Sequence, residues 1–136
     1  ATQIDALRAN YEAAGVQAEC TPFIDDTASA FANADIIVCR AGASTVTELA
    51  ALGVAALFVP LPSAVDDHQT RNARFLVDQG GGWLMAQADL DPERLAQFFR
   101  QATRENLLAC ASTARRCAKT DATAQVARAC AELVTS

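Results

Sequence analysis

The run Asp35–Gly53, DIIVCRAGASTVTELAALG, constrains this chain more than any other stretch. Asp35-Ile36-Ile37-Val38-Cys39 is a short β-branched apolar run, which predicts a strand covered on both faces within a parallel sheet. Arg40-Ala41-Gly42-Ala43 then offers little side chain to obstruct the backbone. Ser44 and Thr45 open a helix in which Val46, Leu49, Ala50 and Leu52 share one side, and Gly53 stands where that helix should stop. A strand, a tight turn and a helix in this order suit the α/β class, a parallel sheet with flanking helices.

Such a turn suits an anion. The first amides of a helix lack intrahelical partners and carry a partial positive charge, so phosphate binds there without a cationic side chain. Small residues at 41–43 let a ligand approach the main chain closely. Glu48 then falls about one turn inside the helix, where a carboxylate can accept hydrogen bonds from both hydroxyls of a ribose. The same residues fit a purely local role, because Thr45-Val46-Thr47-Glu48 matches a capping box in which Glu48 satisfies a backbone N–H. Both readings stand on these residues alone.

A length of 136 residues supports one domain with a real core, residues 1–136, closing in an Ala-rich helical segment over 105–136. With 51% apolar and 20% charged residues the chain is globular, and a net charge of −5 argues against a nucleic-acid partner. No apolar run approaches the roughly 20 residues of a membrane span. Cys20, Cys39, Cys110, Cys117 and Cys130 are scattered without a C-x-x-C pair, and only one His is present. Reduced, buried thiols in a cytoplasmic protein are therefore expected, with no metal and no cofactor.

In chain order, residues 1–14 read as a helix with Ile4, Leu7, Tyr11 and Ala14 on one side. The chain thus opens inside a helix, and the expectation is of a piece whose first strand lies upstream. Val16–Phe23 is a weak strand candidate, and Asp25-Asp26 starts a short helix with Ala28, Phe31 and Ala32 facing inward. Ala55–Val59 reads as a second buried strand, stopped by Pro60 and Pro62. His68–Asn72 begins a helix that buries Ala73, Leu76 and Val77, after which Gly80-Gly81-Gly82 breaks the chain before a short strand at Trp83–Met85. Asp91-Pro92-Glu93 is a helix start, with Leu95, Phe98 and Phe99 as its apolar face, and Asp121 is placed as the cap of the last helix.

Asp66-Asp67-His68-Gln69 is the most polar cluster. A metal site would need further ligands, and no Ser/Cys–His–Asp nucleophile arrangement is supported, Ser63 lying too near His68 in sequence. Acids at a helix start complement its dipole. Alternatively His68 and Gln69, which both donate and accept, read sugar hydroxyls at the strand edge.

Two spaced motifs, Arg40–Glu48 (RAGASTVTE) and His68–Ala73 (HQTRNA), together with the FIDD segment at 23–26 and the strand between them, carry a resemblance. From Thr2 to about Val134 the chain resembles the C-terminal half of the peptidoglycan N-acetylglucosaminyltransferases of glycosyltransferase family 28, enzymes built from two Rossmann-like domains. The resemblance implies the donor-binding part of an inverting transferase that uses UDP-N-acetylglucosamine to convert lipid I, the lipid-linked muramoyl-pentapeptide, to lipid II. Ile24 is then similar to the residue that meets uracil. Ala43, Ser44 and Thr45 match the helix start that faces the diphosphate, and Glu48 matches the glutamate on the ribose. His68 and Gln69 match the pair that reads the sugar, with Asn72 a nearby polar position. No catalytic residue carries over.

Ala41 stands where many relatives have Ser, and Ser44 where a bulkier residue can occur, so one donor contact is expected to be missing or replaced. The family's glycine-rich loop and its whole N-terminal domain, with the acceptor pocket and the membrane-facing patch, do not occur in this sequence. The fragment alone is therefore expected to be inactive, and membrane association, peripheral on the cytoplasmic face of the inner membrane, is expected only through that other domain. Two rival readings are a non-catalytic donor-binding subunit of a two-chain transferase and a fragment of a UDP-sugar epimerase, the latter needing more acid/base groups than His68 supplies.

Overall fold

The computed structural model describes residues 2–62 and 67–134. Three parallel strands, β1 (Ile37–Cys39), β2 (Ala56–Phe58) and β3 (Trp83–Leu84), form one sheet in the order β1-β2-β3. The register pairs Ile37 with Ala56, Cys39 with Phe58, and Leu57 with Trp83. Around them run α1 (Gln3–Ala13), α2 (Thr27–Ala32), α3 (Ala43–Leu52), α4 (His68–Val77), α5 (Pro92–Gln101), α6 (Arg104–Cys117) and α7 (Ala122–Val134), with a 3-10 turn at Gln87–Asp89.

Burial follows the sheet's centre. β2 is buried at all three positions because β1 and β3 flank it and helices cover its faces. Phe58, Leu57, Leu49 and Leu76 are the largest fully buried side chains, and α3 packs against α6, α4 and α2. Gly82 has no room for a side chain: a Cβ there would lie 2.8 Å from Cε2 of Phe58. Gly53 ends α3 in the left-handed region at φ 71°, as its position requires.

Local signals set several element ends. Thr2 caps α1 in a reciprocal capping box with Asp5. Asp26 caps α2 through a 2.9 Å bond accepted from the Ser29 amide, and Asp91 caps α5 ahead of Pro92.

Some sequence expectations are corrected. Val16–Phe23 forms no strand; its residues have no ladder partner among the described residues. β1 is not covered on both faces: Ile37 and Cys39 are half-buried on one, while Val38 on the other is 44% exposed. Of the inward positions assigned to α2 only Phe31 packs on the core, while Ala28 and Ala32 are exposed. Leu52 and Phe99 also turn to the surface, as each lies at the margin of its helix's apolar stripe. Asp121 does stand at the cap position of α7, its carbonyl accepting the Gln125 amide at 3.0 Å, but its carboxylate accepts from Nε2 of Gln125 at 2.8 Å rather than from a helix-start amide. The apolar side of α1 is largely open, and Leu7 and Tyr11 line a groove of about 640 Å³ with Leu90, Pro92 and Leu95. Of the five cysteines, all free, Cys110 is buried and Cys130 is exposed.

Candidate functional site

At the carboxyl edge of the sheet, β1 runs into Arg40–Gly42 and β2 into Pro60–Pro62, the place where open α/β sheets hold ligands. Gly42, extended at φ −61° and ψ 146°, is the N-cap of α3 and contributes no side-chain cap. The first bond of the helix runs from the Val46 amide to the Gly42 carbonyl at 3.0 Å. The amides of Ala43, Ser44 and Thr45 thus point out of the helix end without an acceptor among the described residues. Ala43 and Ser44 are exposed and Thr45 is half-buried.

The capping-box reading of Thr45 and Glu48 fails here. With Gly42 as cap, Thr45 already occupies the third helical position and cannot cap its own helix. Thr47 turns its hydroxyl back to the Ala43 carbonyl at 2.9 Å. Glu48 is exposed, and its carboxylate accepts no hydrogen bond among the described residues.

The start of α4 lies against this turn. Asp67, its N-cap, sits in the left-handed region at φ 47° and makes no side-chain cap. Gln69 reaches across to the turn: its Oε1 accepts from the Ala41 amide at 3.3 Å and from the Leu61 amide at 3.0 Å. Asn72 donates through Nδ2 to the Ala41 carbonyl at 3.1 Å. Arg40 donates through one guanidinium nitrogen to the carbonyls of Val59 at 3.0 Å and Pro60 at 3.2 Å, bracing the two loops together. Beneath the turn, burial pushes the Cys39 thiol up from its ordinary 9.0 to about 11.

Ala43, Ser44, Thr45, Gln69 and Asn72 are therefore gathered at one edge, with Glu48 a turn further along α3 and His68 exposed at the head of α4. Ile24 precedes α2 on an irregular segment, 46% exposed and outside the core cluster. Asp66 and Ser63 lie outside the described residues. Reading the residues in order missed the bracing role of Arg40, whose only signal is a long cation opening an otherwise small-residue turn. No cluster of three or more His, Cys, Asp or Glu among the described residues is arranged to hold a metal, and no described helix is long and apolar enough to cross a membrane.

Comparison with known proteins adds the following. The glycosyltransferase family 28 C-terminal domain matches residues 2–129. The UDP-N-acetylglucosamine–N-acetylmuramyl-(pentapeptide) pyrophosphoryl-undecaprenol N-acetylglucosamine transferase of Polaromonas sp. (strain JS666) is 68% identical over 131 residues, 96% of this chain and 34% of that protein. Its counterpart in Paracidovorax citrulli is 67% identical over 96% of this chain and 37% of its own length. The crystal structure of Acinetobacter baumannii MurG superposes with a TM-score of 0.87 at 48% identity, over 92% of this chain and 39% of that one. The glycosyltransferase VinC in complex with dTDP shares the fold, with a TM-score of 0.63 at 20% identity over 86% of this chain and 31% of its own. The chain spans about a third of the length of the curated relatives it matches.

Proposed function

The chain belongs to the glycosyltransferase family 28 C-terminal domain family, and from that premise we propose that it is the UDP-N-acetylglucosamine-binding part of an inverting N-acetylglucosaminyltransferase that converts lipid I to lipid II. The observation that carries this reading is the open α3 end: three amides without acceptors among the described residues, followed one turn later by an unengaged Glu48. Amides held in a helix are already oriented when a diphosphate arrives, so they stabilise it at little reorganisation cost.

In this reading Ala43, Ser44 and Thr45 donate to the diphosphate, and Glu48 accepts from the ribose hydroxyls. Ile24 lies against uracil, and His68, Gln69 and Asn72 face the sugar. None of these groups attacks the anomeric carbon. Their contribution is to the leaving group: as the sugar–phosphate bond breaks, charge grows on UDP, and the positive end of α3 takes up part of it. The acceptor, a lipid-linked muramoyl-pentapeptide, would be presented by parts of the longer relatives that this chain does not span, as would contact with the cytoplasmic face of the membrane. The 136-residue chain by itself is proposed to hold the donor weakly without transferring it.

Titration of the 15N-labelled chain with UDP and with UDP-N-acetylglucosamine tests this. Both ligands should shift the amides of Ala43, Ser44 and Thr45 together with that of Glu48, and the sugar should add shifts at His68 and Gln69. Unmoved α3 amides at millimolar UDP would remove the donor-site reading.

A further inference from the structure

We propose that Gln69 and Asn72 are positioning residues that lock the phosphate-facing turn to α4, and that these bonds dictate which polar atoms the two side chains have left for a sugar. Ala41 is fully buried, yet its peptide lies beyond the end of the β1–β2 ladder, whose last bond runs from the Val59 amide to the Cys39 carbonyl. A buried N–H and C=O need partners. Both come from one side of α4: Oε1 of Gln69 takes the Ala41 amide, and Nδ2 of Asn72 meets the Ala41 carbonyl. The spacing of three residues puts these side chains on the same helical face. Gln69 also takes the Leu61 amide, so a single carbonyl oxygen ties the loops after β1 and β2 to each other.

The amide orientations follow from the partners. Turning Gln69 over would set its NH2 against two N–H groups, and turning Asn72 over would set its oxygen against a carbonyl. Gln69 therefore retains only N–H donors for a ligand, whereas Asn72 retains its carbonyl acceptor and one N–H. Because Gly42 follows Ala41 directly and caps α3, any slack in the Ala41 peptide displaces the three amides beyond it.

The ligand half of this inference rests on the donor-site reading; the hydrogen-bond half does not. Gln69→Leu removes the acceptor, whereas Gln69→Glu keeps an oxygen for both amides. In the unliganded chain, hydrogen exchange at Ala41 and Leu61 should accelerate at least about tenfold in Gln69→Leu, stay slow in Gln69→Glu, and leave the β2 amide of Leu57 unchanged. UDP, which has no hexose, separates positioning from sugar contact. Gln69→Leu should weaken UDP about tenfold, and UDP-N-acetylglucosamine by at least that factor. Loss confined to UDP-N-acetylglucosamine, unaltered exchange at Ala41 and Leu61, or equal acceleration across the core would each overturn the proposal. Should the wild-type chain bind no UDP, the donor-site reading fails and the exchange result alone decides this one.

Discussion

Glu48 is the residue at which a ligand-binding role and a structural role make different predictions. A carboxylate that neither caps a helix nor pairs with a neighbour contributes little to folding, so its removal should leave stability within about 0.5 kcal/mol of wild type. If it receives the ribose hydroxyls, Glu48→Ala forfeits a charged hydrogen bond of about 1.5–3 kcal/mol, or roughly a 10- to 150-fold loss in UDP affinity. The sharper measurement uses 2′-deoxy-UDP. Wild type should prefer UDP over the deoxy ligand, and Glu48→Ala should lose that preference while melting at the same temperature. A lowered melting temperature with an unchanged preference would return Glu48 to a structural role. Calorimetric titration of both ligands against both proteins completes the double-mutant cycle.

For α3, what matters is whether the helix offers its first amides to a ligand or merely starts there. Proline is tolerated at the first helical position, where its missing N–H was never used by the helix. Ala43 holds that position, and Gly42 at φ −61° and ψ 146° already has the extended backbone a residue before proline prefers. Ala43→Pro should thus leave the melting temperature unchanged or slightly raised, yet weaken UDP by about tenfold through the loss of one donor to a charged group. Unaltered UDP affinity would show that the phosphates do not rest there. Features of this kind were readable from sequence wherever the cause was local. The β-branched run of β1, the Gly53 stop and the Asp91-Pro92 start all depend on a few adjacent residues. Val16–Phe23 reads as a strand yet forms none, because a strand needs a neighbour to pair with and propensity does not report one. The cap of α3 shifted to Gly42 because Ser44 and Thr45 satisfy a cap pattern equally well on paper. The tie from Gln69 to Ala41 and Leu61 crosses 28 and 8 residues, so no motif could display it.

Across the whole molecule, the same close packing that seats the turn also sets how the chain responds to alkali. Cys39 lies at the end of β1 under the turn, and burial raises its thiol from 9.0 to about 11. Burial raises the Cys110 thiol on α6 as well, partly offset by a hydrogen bond with the Ala56 backbone. Below about pH 9 both thiols are neutral in the folded and unfolded chain alike, and they do not alter the balance between the two states. Above that the unfolded chain ionises its thiols while the folded one holds Cys39 protonated until about pH 11, so the unfolded state gains. The stability associated with the neutral thiols is therefore complete below pH 9 and lost progressively between about 9 and 11. Urea denaturation midpoints at fixed temperature should fall through this window in the wild type and fall less steeply in Cys39→Ala, which has no thiol to ionise there. Parallel slopes for the two proteins would mean that Cys39 is open to water, and that the packing beneath the turn is looser than its burial indicates.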